Sequence, residues 1–105
     1  MAEHQWDELA QRVGHEYATT IGDQPVVQGV WVSTDDDGVD VWVVTAPTDP
    51  ASARRLFIGY GAFQRRFPEA EIRLRVLNRR NYPSMGLDDL LPEDARLIRR
   101  AAHAG

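Results

Sequence analysis

The stretch Val30-Trp31-Val32-Ser33, then Thr34-Asp35-Asp36-Asp37-Gly38, then Val39-Asp40-Val41-Trp42-Val43-Val44, constrains the fold of this chain more than any other feature. Both flanking runs are rich in β-branched and aromatic residues, and the Asp and Gly residues between them tolerate unusual backbone angles. They predict a β-hairpin with strands over residues 26–33 and 39–46. Pairing Thr34 with Val39 sets Val32 opposite Val41 and Val30 opposite Val43 on one face. On the other face Trp31 then opposes Trp42, and Ser33 opposes Asp40. A slip of one residue would mix valines with Trp and Asp on both faces, so the pattern itself selects the register. One face is made of valines, and the question of function falls on the other.

Residues 4–21 place Trp6, Leu9, Ala10, Val13, Tyr17 and Thr20 or Ile21 at spacings of three and four, the stripe of an amphipathic helix ended by Gly22-Asp23-Gln24-Pro25. After the hairpin, Thr48-Asp49-Pro50 supplies an N-cap and a proline for the first helical position. Ala53, Leu56, Tyr60, Phe63 and Phe67 then recur at helical spacing and predict a second long helix that stops at Phe67-Pro68. Gly59 and Gly61 within it cost about 1 kcal/mol each against Ala, which points to close approach by a neighbouring element. Ile72-Arg73-Leu74-Arg75-Val76-Leu77 alternates with period two and predicts a third strand, with Ile72, Leu74 and Val76 on one face and Arg73 and Arg75 on the other. A polar stretch over 78–85 leads to Leu87, Leu90 and Leu91, and residues 92–100 predict a short terminal helix. Residues 101–105 are expected to fray.

The order helix-strand-strand-helix-strand-helix predicts an α/β two-layer sandwich. Its three-stranded mixed sheet has the third strand returned parallel to the second by a right-handed crossover, with two long helices on one face. A chain of 105 residues without repeats or linkers is expected to form a single domain over residues 1–105.

The absence of cysteine excludes disulfides, thiolate nucleophiles, cysteine-ligated zinc and iron–sulfur clusters, and points to the cytoplasm. Residues 1–5 lack the basic and then apolar profile of an export signal. No apolar run approaches the roughly 18 residues of a membrane span, so no membrane partner is expected. The net charge of -4 hides a polarity: residues 1–50 carry ten Asp and Glu against one Arg, and residues 51–105 carry eleven Arg against six acids. Every basic residue is Arg, a planar fork suited to carboxylates, phosphates and aromatic faces. An acidic half folded against a basic half would neutralise itself internally.

Gly38-Val39-Asp40-Val41-Trp42-Val43-Val44 is similar to the strand on which minimal nucleotidyltransferase-like domains carry their Asp-x-Asp metal ligands. The segment from Leu91 to Arg100 looks like their usual carboxy-terminal segment. Over most of its length the chain thus resembles a degenerate relative of the antitoxin-type nucleotidyltransferases, and the resemblance implies their fold. The family's chemistry needs a Gly-Ser turn for the triphosphate and clustered carboxylates for two magnesium ions, and neither is present. Asp40 matches the second carboxylate, Gly38 stands at the first position, and Arg73 or Arg75 replaces the third. A cation there repels magnesium, so nucleotidyl transfer is left as a remote alternative.

Other chemistries lack their residues. His4 and His15 lie about 16 Å apart along a helix and cannot share a metal, and His103 falls in the tail. Ser33, Ser52 and Ser84 sit in no nucleophile elbow. The Asp35-Asp36-Asp37-Gly38 run lacks the alternate spacing and distant Glu of a calcium loop, and Gly59-Tyr60-Gly61 lies inside a predicted helix rather than before one. No catalytic residue, metal ligand or cofactor is therefore expected. What remains is the face bearing Trp31, Trp42, Asp40, Arg73 and Arg75, continued by Arg79 and Arg80. One reading folds the Leu87, Leu90, Leu91 and Ile98 tail over the tryptophans, pairs Asp40 with Arg73 or Arg75, and leaves nothing exposed. The reading preferred for function is a protein interface, for self-association or a partner, because Trp and Arg concentrate binding energy. The chain is then a non-enzymatic accessory or regulatory protein. The alternative is single-stranded nucleic-acid or nucleotide binding by stacking and phosphate contacts, against which the net negative charge counts.

Overall fold

The structure, a computed structural model, describes residues 6–21 and 24–100. The predicted first helical residues at 4 and 5, the stop at Gly22 and Asp23, the tail 101–105, and His4 and His103 lie outside them. Helix α1 (Asp7–Ile21) is followed by strands β1 (Val27–Thr34) and β2 (Gly38–Thr45). Helix α2 (Pro50–Arg54) runs through a 3-10 turn, Arg55–Phe57, to helix α3 (Tyr60–Arg66). Strand β3 (Glu71–Asn78), a 3-10 turn at Arg79–Asn81, a one-turn helix α4 (Leu87–Leu90) and strand β4 (Arg96–Arg100) complete the order. The result is an α/β fold on a four-stranded mixed sheet, β3-β2-β1-β4, in which β1 runs against its neighbours and β2 and β3 are parallel.

The hairpin register is the one selected by the valine pattern, with Val32 on Val41, Val30 on Val43, Trp31 on Trp42 and Ser33 on Asp40. Its turn is held by Asp35, whose carboxylate accepts the amides of Asp37 and Gly38 at 2.9 and 3.0 Å. The parallel register continues the sorting into β3: Val39, Val41 and Val43 stand beside Ile72, Leu74 and Val76, while Asp40 and Trp42 stand beside Arg73 and Arg75. The aliphatic face is covered by Leu9, Ala10, Val13, Tyr17, Ala18 and Ile21 of α1 and by Leu56, Phe63 and Phe67. The Tyr17 and Phe63 rings meet edge to face at 5.2 Å, and the Tyr17 hydroxyl donates to the Leu56 carbonyl, joining α1 to the second helical segment.

Three expectations fail. The terminal helix predicted over residues 92–100 is instead a turn, closed by the Ala95 amide on the Pro92 carbonyl, and a strand that pairs antiparallel with β1. The sheet therefore has four strands rather than three. A short isolated helix is marginal because its nucleus is costly, whereas pairing satisfies the backbone edge of β1. A bulge opposite Val30 and Trp31 lets Leu97 face one side and Ile98 pack against the core. Ile98 therefore does not join a lid over the tryptophans.

The second long helix is also broken. Ile58 is extended and Gly59 has φ 85°, a left-handed conformation open to glycine. The kink re-aims the chain so that Leu56, Phe63 and Phe67 are buried while Phe57 and Ile58 remain 42% and 72% exposed. Finally, neither glycine serves close packing, because a Cβ at Gly59 would meet nothing within 4 Å and one at Gly61 would meet only the Arg65 guanidinium at 3.6 Å. Within the helices the close approach is at Gly14, where a Cβ would lie 2.8 Å from Ile98 and Val32 side-chain atoms. Among the described residues no helix is long and apolar enough to cross a membrane.

A candidate interaction face on the open side of the sheet

The face turned away from α1 and α3 carries two cross-strand rows, Ser33–Asp40–Arg73 and Trp31–Trp42–Arg75, set by the registers of β1, β2 and β3. Five of the seven residues expected at the site thus come together. Asp40 is at the centre. Its Oδ1 accepts from Arg73 Nε at 2.8 Å and Arg75 Nε at 3.0 Å, and its Oδ2 accepts from Arg73 Nη2 at 3.3 Å. Arg73 reaches on to the Asp35 carboxylate at 2.7 Å and lies 3.6 Å from Glu71. Hydrogen bonding to Arg73, followed by the amides of its own turn, pulls the Asp35 carboxyl below its ordinary range. Donating to Asp35 drives the Arg73 guanidinium above its own, against the opposing effect of partial burial.

The two indoles play different parts. Trp31 is 8% exposed and lies across Gly29, where an added Cβ would meet ring carbons at 2.7 Å. Leu87, Leu91, Pro92 and Ala95 border the cleft beside it. Part of the tail therefore covers Trp31, as one sequence reading required, but the cover stops there. Trp42 is half-buried, with its Nε1 donating to Ser33 Oγ at 2.8 Å and the Arg75 guanidinium 5.5 Å from its ring centroid. The Arg75 side chain is 49% exposed, so the stacked pair faces outward.

Arg79 and Arg80 are not part of this cluster. They sit on the 3-10 turn after β3, where Arg79 donates to the Met85 carbonyl at 3.1 Å. Arg80 is exposed and borders a groove with Phe57 and Val76, residues of the helical side. Sequence reasoning placed Ser33 on this face opposite Asp40 but missed Asp35 and Glu71 as members of the cluster. The signal for Asp35 was available in the parallel pairing, which brings the hairpin tip to the start of β3, where the Glu71 amide donates to the Asp37 carbonyl at 3.2 Å.

Chemically the cluster sets three carboxylates against two guanidiniums, so the arginines are already neutralised. Among the described residues no three His, Cys, Asp or Glu side chains are placed to hold a metal ion. The wider charge polarity is resolved in the same way: Arg66 with Glu16, Arg73 with Asp35 and Asp40, Arg75 with Asp40 and Arg96 with Asp7 all join the basic half to the acidic half. Comparison with protein-family models, curated proteins and solved structures gives no match.

Proposed function

We propose that this chain is a non-enzymatic accessory or regulatory protein of the cytoplasm that acts through protein–protein contacts, made by the Trp42 and Arg75 part of the open sheet face. The observation that carries the reading is the outward-facing stack of Arg75 on Trp42, held in place by Asp40 and Ser33. Trp and Arg are enriched where interface energy concentrates, and a pair ordered before binding loses little side-chain freedom when a partner arrives. Neutralisation by Asp40 favours a protein surface over a phosphate backbone, which rewards unpaired cations. The same three bonds on Asp40 support reading the nucleotidyltransferase resemblance as one of shape without its metal chemistry.

The test compares wild type with Trp42→Ala and Arg75→Glu, each checked for folding by circular dichroism. Mass is followed by light scattering, and any partner that co-purifies is reconstituted as an isolated complex. Loss of a dimer, or at least tenfold weaker reconstituted binding, is expected. Unchanged mass and affinity in both folded variants would remove the face from function. Single-stranded oligonucleotides titrated at low and physiological salt decide the competing reading, since salt-sensitive binding lost in Arg75→Glu would replace the proposal.

A further inference from the structure

Among the described residues the sheet ends on one side at β3, which pairs only with β2. Along that edge the backbone is not uniformly open. The Glu71 amide donates inward to the Asp37 carbonyl, whereas the Ile72 amide donates to Gln64 Oε1 at 2.7 Å and the Ile72 carbonyl accepts from the Tyr60 hydroxyl. The N–H and C=O of a strand residue share a side, and the sides alternate. Odd-numbered residues of β3 therefore bond to β2, and even-numbered ones point outward. Side chains of α3 cap Ile72. The alternation leaves the amides and carbonyls of Leu74 and Val76 on the outer edge, where no strand of the described residues lies.

Beside them is a groove of about 490 Å³ bordered by the apolar side chains of Pro50, Ala53, Phe57 and Val76, with Arg54 and Arg80 also on its wall. Arg66, Arg73, Arg75 and Arg96 each face a carboxylate, but Arg54 and Arg80 have no ion pair among the described residues. An open strand edge, an apolar slot and two uncompensated cations thus occur together. Unprotected edges invite pairing, and proteins ordinarily cap or charge them; here half of the edge is capped and half is not.

We infer that the outer edge of β3 at Leu74 and Val76 receives an extended acidic segment of a partner protein. The segment adds a strand to the sheet, seats an apolar side chain against Phe57 and Val76, and pairs its carboxylates with Arg54 and Arg80. Main-chain hydrogen bonds supply affinity in this mode and the slot supplies specificity. A second copy of this chain is a poorer occupant. Antiparallel pairing of two open halves about their centre sets Arg75 opposite its own copy, and like charges directly opposed are destabilising. The site stands apart from the Trp42 and Arg75 stack, whose side chains lie on the other face.

The probe is a fluorescein-labelled heptapeptide with a central valine, a glutamate two residues to either side of it and threonine elsewhere, so that the carboxylates and the apolar side chain share the face of the slot. It is blocked at both ends and titrated by anisotropy and by amide hydrogen exchange. In the free protein the Leu74 and Val76 amides should exchange quickly while those of Arg73 and Arg75 are protected, and the peptide should protect the first pair. Affinity should fall as salt rises. It should weaken at least tenfold in Arg54→Glu/Arg80→Glu, severalfold in Phe57→Ala, and not at all in Arg75→Gln. The double variant should gain binding to the lysine counterpart of the peptide. The inference is overturned by absence of binding at low salt, by affinity indifferent to charge reversal, or by protected Leu74 and Val76 amides in the free monomer. Protection that instead grows with protein concentration would assign the edge to self-pairing and overturn it equally.

Discussion

Replacing Asp40 by asparagine keeps the shape of the side chain, removes its charge, and turns one of its two acceptor positions into a donor facing Arg73 Nη2. Exposed pairs contribute roughly 0–1 kcal/mol, and removing one partner of a buried pair costs roughly 3–5 kcal/mol. The Asp40 side chain is 12% exposed, that of Arg73 20% and that of Arg75 49%. Arg73 keeps Asp35 and Glu71, and Arg75 can turn to water, so neither guanidinium is stranded. The expected loss is about 2 kcal/mol, toward the middle of the range for hydrogen bonds to charged groups. For a domain near 100 residues this lowers the melting temperature by about 10 °C. Urea unfolding followed by circular dichroism measures it, with an unchanged slope indicating an unchanged extent of unfolding. Double-mutant cycles then separate the partners. Coupling of about 1.5 kcal/mol is expected between Asp40→Asn and Arg73→Gln, and below about 0.5 kcal/mol with the more exposed Arg75→Gln. A loss under about 0.5 kcal/mol, or stronger coupling to Arg75 than to Arg73, would refute the claim that Asp40 anchors this face mainly through Arg73.

Three further outcomes follow from the same geometry. Tyr17→Phe leaves the buried Leu56 carbonyl without its donor and should cost about 1–3 kcal/mol by chemical denaturation. Burial pushes the Tyr17 phenol well above its ordinary range, so its contribution is present below the unfolded value of about 10 and is lost as pH rises beyond it. Wild type should therefore lose stability above that pH in an alkaline titration more steeply than Tyr17→Phe. The Asp35 carboxyl is held below its unfolded value by Arg73, so its stabilisation is present above about pH 4 and disappears as pH falls through the lower folded value. Asp35→Asn should remove that part of the acid dependence while leaving the neutral-to-alkaline profile unchanged. Leu56 is fully buried, and Leu56→Ala should cost about 2–5 kcal/mol, measured by thermal unfolding.

Legibility differed from element to element for physical reasons. The hairpin was readable because side chains alternate strictly in a strand, so a two-faced pattern admits one register. The same alternation carried Arg73 and Arg75 to the face of Asp40 and Trp42. The second helix misled because its helical spacing is real in each half, yet nothing in the spacing says that Gly59 turns the chain left-handed between them. Leu97-Ile98 among arginines is too short to distinguish helix from strand by period. What it became depended on an edge of β1 that exists only once the hairpin has folded. Arg79 and Arg80 follow the strand in sequence, but the turn they occupy takes them off its face.

Sequence by itself determined the sorting of side chains: aliphatics to one face of the sheet, indoles, Asp40 and the two β3 arginines to the other. That sorting is local, repeating every two residues along the backbone. Which of those polar groups are neutralised, which indole is covered, and which stretch of β3 stays open were decided by the tertiary structure. They depend on groups brought together across 30 or more residues, as when Asp35 meets Arg73 and the tail reaches Trp31. Such contacts leave no period in the chain to be read.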